Sequence, residues 1–132
     1  MRAIIALALA SFLTAPALAQ EDYEPGETRW SFAIHGGAGT IERANMTPEQ
    51  EAEYRAALDA ALEAGSAILR DGGSAMDAVT AAITLMEDDP KFNAGRGAVF
   101  TWDGTIEHDA ALMDGRTRAA GAVTGIGTVR HP

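Results

Sequence analysis

The sequence predicts an α+β fold, and three observations carry that expectation. A segment with strand periodicity comes first, two segments with helical periodicity follow one another directly, and the last third alternates like antiparallel strands joined by Asp-Gly turns. Because the helices are grouped rather than interleaved with strands, a layered arrangement is expected over a doubly wound parallel sheet.

Residues 1–19 stand apart from this pattern. Met1-Arg2 gives a positive start, Ala3 to Leu13 form an apolar stretch, and Ala17-Leu18-Ala19 offers the small-x-small pattern at which signal peptides are cut. The stretch is shorter than the ~20 apolar residues that a spanning helix needs, so the expectation is a removed signal peptide and an exported product, periplasmic or secreted, with no membrane anchor. Residues 20–28, acidic and turn-rich, read as a mobile leader. The folded unit is expected over residues 29–132.

Each element of that unit has a local cause. Arg29 to His35 places Trp30, Phe32 and Ile34 on one side, the period of a strand, and runs into Gly36-Gly37-Ala38-Gly39. Thr47-Pro48-Glu49-Gln50 is a helix start, with Thr47 as cap, Pro48 in the first turn and Gln50 completing a capping box. Tyr54, Leu58, Ala61, Leu62, Gly65, Ile68 and Leu69 then recur at helical spacing until Gly72-Gly73. Ser74 with Asp77 opens a second helix, whose stripe is Met76, Val79, Ile83 and Met86, with alanines that would let a neighbour approach closely. Glu87-Asp88-Asp89-Pro90 ends it. Ala98 to Trp102 and Ile106 to Met113, joined by Asp103-Gly104, and a second turn at Asp114-Gly115 leading to Ala119 to Val123, predict hairpins.

Composition excludes some functions. With 10 basic and 19 acidic side chains, a net charge of −9 and no cysteine, the chain would repel phosphate backbones, which excludes nucleic acid as a partner, and its stability owes nothing to disulfides.

The residues leave several chemistries to weigh. The His35-Gly36-Gly37 loop could present backbone N–H groups to an anion or an oxyanion, or be a tight turn that simply needs glycine. It matches neither a dinucleotide fingerprint nor a phosphate loop, and no G-x-S-x-G elbow accompanies it. Glu107-His108-Asp109 cannot converge on one metal ion from a strand without a bulge, since His108 faces away from its neighbours. Glu87-Asp88-Asp89 sits unfavourably at a helix C-terminus, either as a solvated end or because free carbonyls there hold a cation.

Taken together, Ala33-Ile34-His35-Gly36-Gly37-Ala38-Gly39, the run Phe92-Asn93-Ala94-Gly95-Arg96-Gly97-Ala98-Val99-Phe100, and Asp109-Ala110 through Met113-Asp114-Gly115 to Ala120-Gly121-Ala122-Val123 resemble the plant-type L-asparaginase / isoaspartyl peptidase family. The resemblance runs from about Phe32 to Pro132. It implies the αββα sandwich of the N-terminal nucleophile hydrolases, incomplete in this chain. It also implies a precursor that cuts itself before a threonine, whose hydroxyl then attacks asparagine or a β-aspartyl dipeptide with its own α-amine as base.

The family's nucleophile lies in a Gly-Thr-Val-Gly-like segment downstream of the region matched. Gly127-Thr128-Val129-Arg130 imitates it, but Ala122-Val123-Thr124-Gly125 aligns with an earlier family strand, and a second chain starting at Thr128 would be too short to build a sheet. The expectation is therefore the N-terminal, α-subunit part of the precursor, inactive alone, whose partner is the C-terminal β part, in a homodimer of processed heterodimers. The implied substrate is a small amide or dipeptide.

By resemblance, His35, Gly36 and Gly37 shape the maturation site and Asn93 supports the nucleophile's surroundings. Backbone carbonyls of Met86, Glu87, Asp89, Phe92, Ala94 and Arg96 bind a structural sodium ion, and catalysis needs no cofactor. The alternative from another class is a small secreted anion-binding module built on the His35 loop.

Overall fold

The computed structural model describes residues 30–37 and 43–132. The expected signal peptide, the leader, and Ala38 and Gly39 of the glycine loop lie outside the described residues. Element order is a 3-10 turn (Arg43–Asn45), helix α1 (Pro48–Arg70), helix α2 (Ala75–Asp88), and strands β1 (His108–Asp114) and β2 (Ala119–Ile126), which is mixed α and β as expected.

Helix α1 starts where the capping box places it. The Thr47 hydroxyl accepts the Gln50 N–H at 3.2 Å, and Gln50 Oε1 accepts the Thr47 N–H at 2.9 Å, satisfying two of the free donors of the first turn. Its end is equally local. Gly73 N–H donates to Ile68 O and Gly72 N–H to Leu69 O, the paired bonds of a Schellman turn, and Gly72 takes the φ of +80° that this turn demands. Ser74 then caps α2 through the Asp77 N–H.

The two helices meet through small residues. Ala61 and Gly65 of α1 face Ala78, Ala82 and Met86 of α2, all buried, and Phe92 joins them, its ring set edge-on to Tyr54 with centroids 6.4 Å apart. Gly65 is required here, since a Cβ would lie 2.4 Å from the Phe32 ring and 2.9 Å from the Ala78 carbonyl oxygen. The sequence placed Val79 and Ile83 on the buried stripe, and the structure corrects this. Alanines take the inner face because they let the helix backbones approach, while Val79 and Ile83 turn toward the hairpin and remain about 40% exposed.

Residues 30–37 keep the predicted alternation at Phe32 and Ile34, half-buried against the helices between exposed neighbours, whereas Trp30, expected on the same side, is exposed. They do not form a strand, because no ladder partner stands beside them among the described residues. The first expected hairpin is also absent: Thr101 N–H bonds Thr105 O at 2.8 Å, and the two threonine hydroxyls bond each other, closing a local turn instead of a ladder.

The second hairpin forms. Strands β1 and β2 pair antiparallel, from Asp114 opposite Ala119 to Ala110 opposite Val123, and again at His108 opposite Ile126. Between these, Asp109 alone faces Thr124 and Gly125, a bulge in which Gly125 adopts a φ of +66°. The Asp109 carboxylate accepts both the Thr124 hydroxyl and the Gly125 N–H, so the bulge leaves that amide satisfied. Among the described residues, no helix is long and apolar enough to cross a membrane.

Candidate functional site

The residues singled out by sequence fall in two places. His35 follows Ile34, which packs half-buried against the apolar cluster, and Asn93 follows Phe92, a buried member of it. His35 and Asn93 are themselves exposed. Gly36 rests on α1, where a Cβ would meet Leu58 Cδ2 at 2.8 Å, and Gly37 takes a φ of +114°, which favours glycine.

The second place is the loop from Met86 to Arg96, which folds tightly onto the end of α2. Arg96 N–H donates to Glu87 O at 2.8 Å, Phe92 N–H to Asp89 O at 3.1 Å, and Asp89 N–H to Met86 O at 3.4 Å. Two glycines make this closure possible. A Cβ at Gly95 would lie 2.4 Å from Glu87 O, and one at Gly97 would lie 2.3 Å from Phe92 O and 2.4 Å from Pro90 O. The loop thus presses Glu87 O against Gly95, and Phe92 O and Pro90 O against Gly97. Each such oxygen keeps a second lone pair, and neutral hard oxygens suit a hard cation. Among the described residues no cluster of three or more His, Cys, Asp or Glu could hold a metal ion.

The acidic end of α2 is not a solvated terminus. Arg130 forks onto Asp88, with Nη2 at 2.9 Å from Oδ1 and 3.0 Å from Oδ2. His131 Nδ1 lies 2.8 Å from Glu87 Oε2, whose side chain is 8% exposed. The Lys91 ammonium sits 3.0 Å from Asp89 Oδ2. Hydrogen bonds from Arg130 hold the Asp88 carboxyl below its ordinary value, with burial acting against them. At Asp89 partial burial pushes upward but is outweighed by the Lys91 N–H and ammonium, so this carboxyl is lowered too.

Sequence reasoning did not find Arg130 and His131. The one signal for them was a basic pair complementary to Glu87-Asp88, forty-two and more residues away. The His108 ring nitrogens lie 3.3 Å from Gly95 O and Ile126 O, between the loop and the end of β2, while the Asp109 carboxylate serves the bulge. Above α2, an open groove of about 740 Å³ separates Val79 and Ile83 from Leu112 and Val123 of the hairpin.

The sequence profile of the asparaginase family matches residues 28–132. The chain is 57% identical over 100 residues to an isoaspartyl peptidase of Salmonella typhimurium, which covers 76% of this chain and 32% of that protein. It is 55% identical over 100 residues to an isoaspartyl peptidase of Escherichia coli (76% and 31%), and 48% identical over 99 residues to a plant-type L-asparaginase of Pyrococcus abyssi (75% and 31%). The chain spans about a third of the length of these curated relatives. A profile match over most of its residues and identities of this size have one meaning: the chain belongs to the asparaginase family, with the isoaspartyl peptidases and plant-type L-asparaginases.

Proposed function

We propose that the chain acts as the N-terminal part of an exported, self-cleaving isoaspartyl peptidase / L-asparaginase that hydrolyses β-aspartyl dipeptides or asparagine. The observation that carries this is the 57% identity to a protein named isoaspartyl peptidase. The threonine nucleophile belongs to sequence outside these 132 residues, so the chain alone hydrolyses neither substrate. His35, Gly36 and Gly37 shape the site of maturation, and Asn93 supports the nucleophile's surroundings. The chemistry needs no cofactor, and two processed heterodimers associate.

Exposed apolar surface supports a larger assembly. Val99 and Phe100 are more than 70% exposed, Met113 is 60% exposed, and the groove over Val79 and Ile83 stands open. A two-stranded hairpin is marginal by itself and gains stability when further strands or a helix layer cover it. The same exposure weighs against a self-sufficient anion-binding module, which would bury such a face.

A chimera joining residues 28–132 to the remaining two-thirds of the Escherichia coli relative tests the reading. It is expected to cleave itself and release aspartate from a β-aspartyl dipeptide, while the 132-residue chain alone releases none. Activity of the chain alone that disappears in Thr128→Ala would overturn the proposal.

A structural sodium ion fits the loop, held by the carbonyls of Met86, Glu87, Asp89, Phe92, Ala94 and Arg96. Its role is to neutralise carbonyl dipoles that crowd together at the end of α2. Thermal stability in sodium chloride should exceed that in choline chloride at equal ionic strength, and equal stability would remove the ion.

A further inference from the structure

Packing joins α1 to α2 and β1 to β2, but the groove leaves the hairpin with little apolar contact to the helices. What attaches it is polar, and it is concentrated at one loop. His108 reaches Gly95 O from β1, and just beyond the end of β2 Arg130 and His131 seize Asp88 and Glu87. Only residues 127–129 separate Ile126 from Arg130, so the grip on α2 is transmitted to the strand through a short tether.

We propose that Arg130 and His131 are positioning residues for the carbonyl loop. By holding the side chains of Glu87 and Asp88, they fix the peptide groups at the start of that loop, so that cation binding and attachment of the hairpin become one coupled equilibrium. This rests on the sodium reading above. Glu87 makes the coupling direct, because its carboxylate is held by His131 while its own carbonyl closes the loop on Arg96. Linkage then requires that whatever loosens the clasp also weakens the cation, and the reverse.

Charge alone makes the opposite forecast, which gives the test its edge. Arg130 is a cation beside a cation site, so removing it should tighten sodium if only Coulomb's law acts, and weaken it if the clasp positions the loop.

Sodium would be titrated into the 132-residue chain at constant ionic strength against choline, read by sodium-23 line broadening and by the backbone amide shifts of residues 86–96. Arg130→Ala is expected to weaken sodium by up to about fivefold, the factor that an exposed ion pair can transmit, and Arg130→Lys to recover part of that loss. Arg116→Ala, on the exposed hairpin turn, should change nothing. Asp88→Asn combined with Arg130→Ala should be no weaker than Arg130→Ala alone, since both remove the same fork. Amide shifts of α1 report whether each variant keeps its helix.

Sodium that binds Arg130→Ala as tightly as the parent, or more tightly, overturns the clasp and leaves the cation site standing. A parent chain with no saturable sodium effect removes the site, and the clasp with it.

Discussion

Replacing Gly95 by alanine tests the close approach on which the 86–96 loop depends. The new Cβ would sit 2.4 Å from Glu87 O, 2.8 Å from its Cα and 2.9 Å from its carbonyl carbon, all backbone atoms of the last helical turn. Nothing flexible can yield there, so the loop must lift and the Arg96 N–H to Glu87 O bond of 2.8 Å must open. Overpacking costs about 1–3 kcal/mol and the lost hydrogen bond about 0.5–1.5 kcal/mol. Alanine returns about 0.4–1 kcal/mol by restricting the unfolded chain, so about 0.5–4 kcal/mol of local stability is lost. At about 1.4 kcal/mol per decade, the Arg96 amide should exchange with solvent at least about twofold faster, read residue by residue by NMR. Gly115→Ala is the control, because nothing lies within 4 Å of its Cβ position and its φ is not positive. Equal Arg96 exchange in the parent and both variants would refute the close approach.

Other consequences can be measured in the same chain. Thr47→Ala removes the hydroxyl half of the capping box and should cost about 1 kcal/mol, with fraying of the first turn of α1 in hydrogen exchange; unchanged protection there would show the cap to be idle. The Thr124 hydroxyl first, and the Gly125 N–H second, hold the Asp109 carboxyl below its ordinary 3.8. Its folded value being the lower one, the stability it contributes is complete above that ordinary value and is lost as pH falls through the depressed one. The Gly125 amide should therefore lose protection in acid, and Asp109→Asn should flatten that pH dependence; an identical acid profile in the variant would contradict it. Trp102 is fully exposed, so its fluorescence should be quenched by acrylamide as readily as free indole, and Trp102→Phe should leave stability within about 0.5 kcal/mol; a shielded, blue-shifted Trp102 would contradict the structure.

What the sequence made legible was governed by short-range rules. Thr47 and Gln50 are three residues apart, Gly72 and Gly73 end a helix from within one turn, and Ala61 and Gly65 share a face by period alone. On the inner face of α2, Met86 and the alanines Ala78 and Ala82 are buried as read, but Val79 and Ile83 are not, because the helix partner rewards the smallness of alanine over hydrophobicity. The bulge at Gly125 and the grip of Arg130 on Asp88 are pairings across distant sequence, and no local pattern encodes them. The candidate cation loop was the least readable feature. Backbone carbonyls carry no side-chain signature: the acidic end of α2 left a cation as one of two readings, and only family resemblance pointed to the loop from Met86 to Arg96.

The Schellman turn at Gly72-Gly73 has a consequence for the order of folding. It brings Ala61 and Gly65 against Ala78 and Ala82 across a connection of only residues 71–74, so the helix pair forms with little loop entropy to overcome. The hairpin, by contrast, reaches α2 through residues more than forty positions apart. A chain emerging from the ribosome would thus complete α1 and α2 as a nucleus before the tether to β2 had been synthesised. Enlarging Ala61 or Ala82 should accordingly slow refolding, while loss of Arg130 should chiefly speed unfolding, and the reverse partition would place the nucleus in the hairpin.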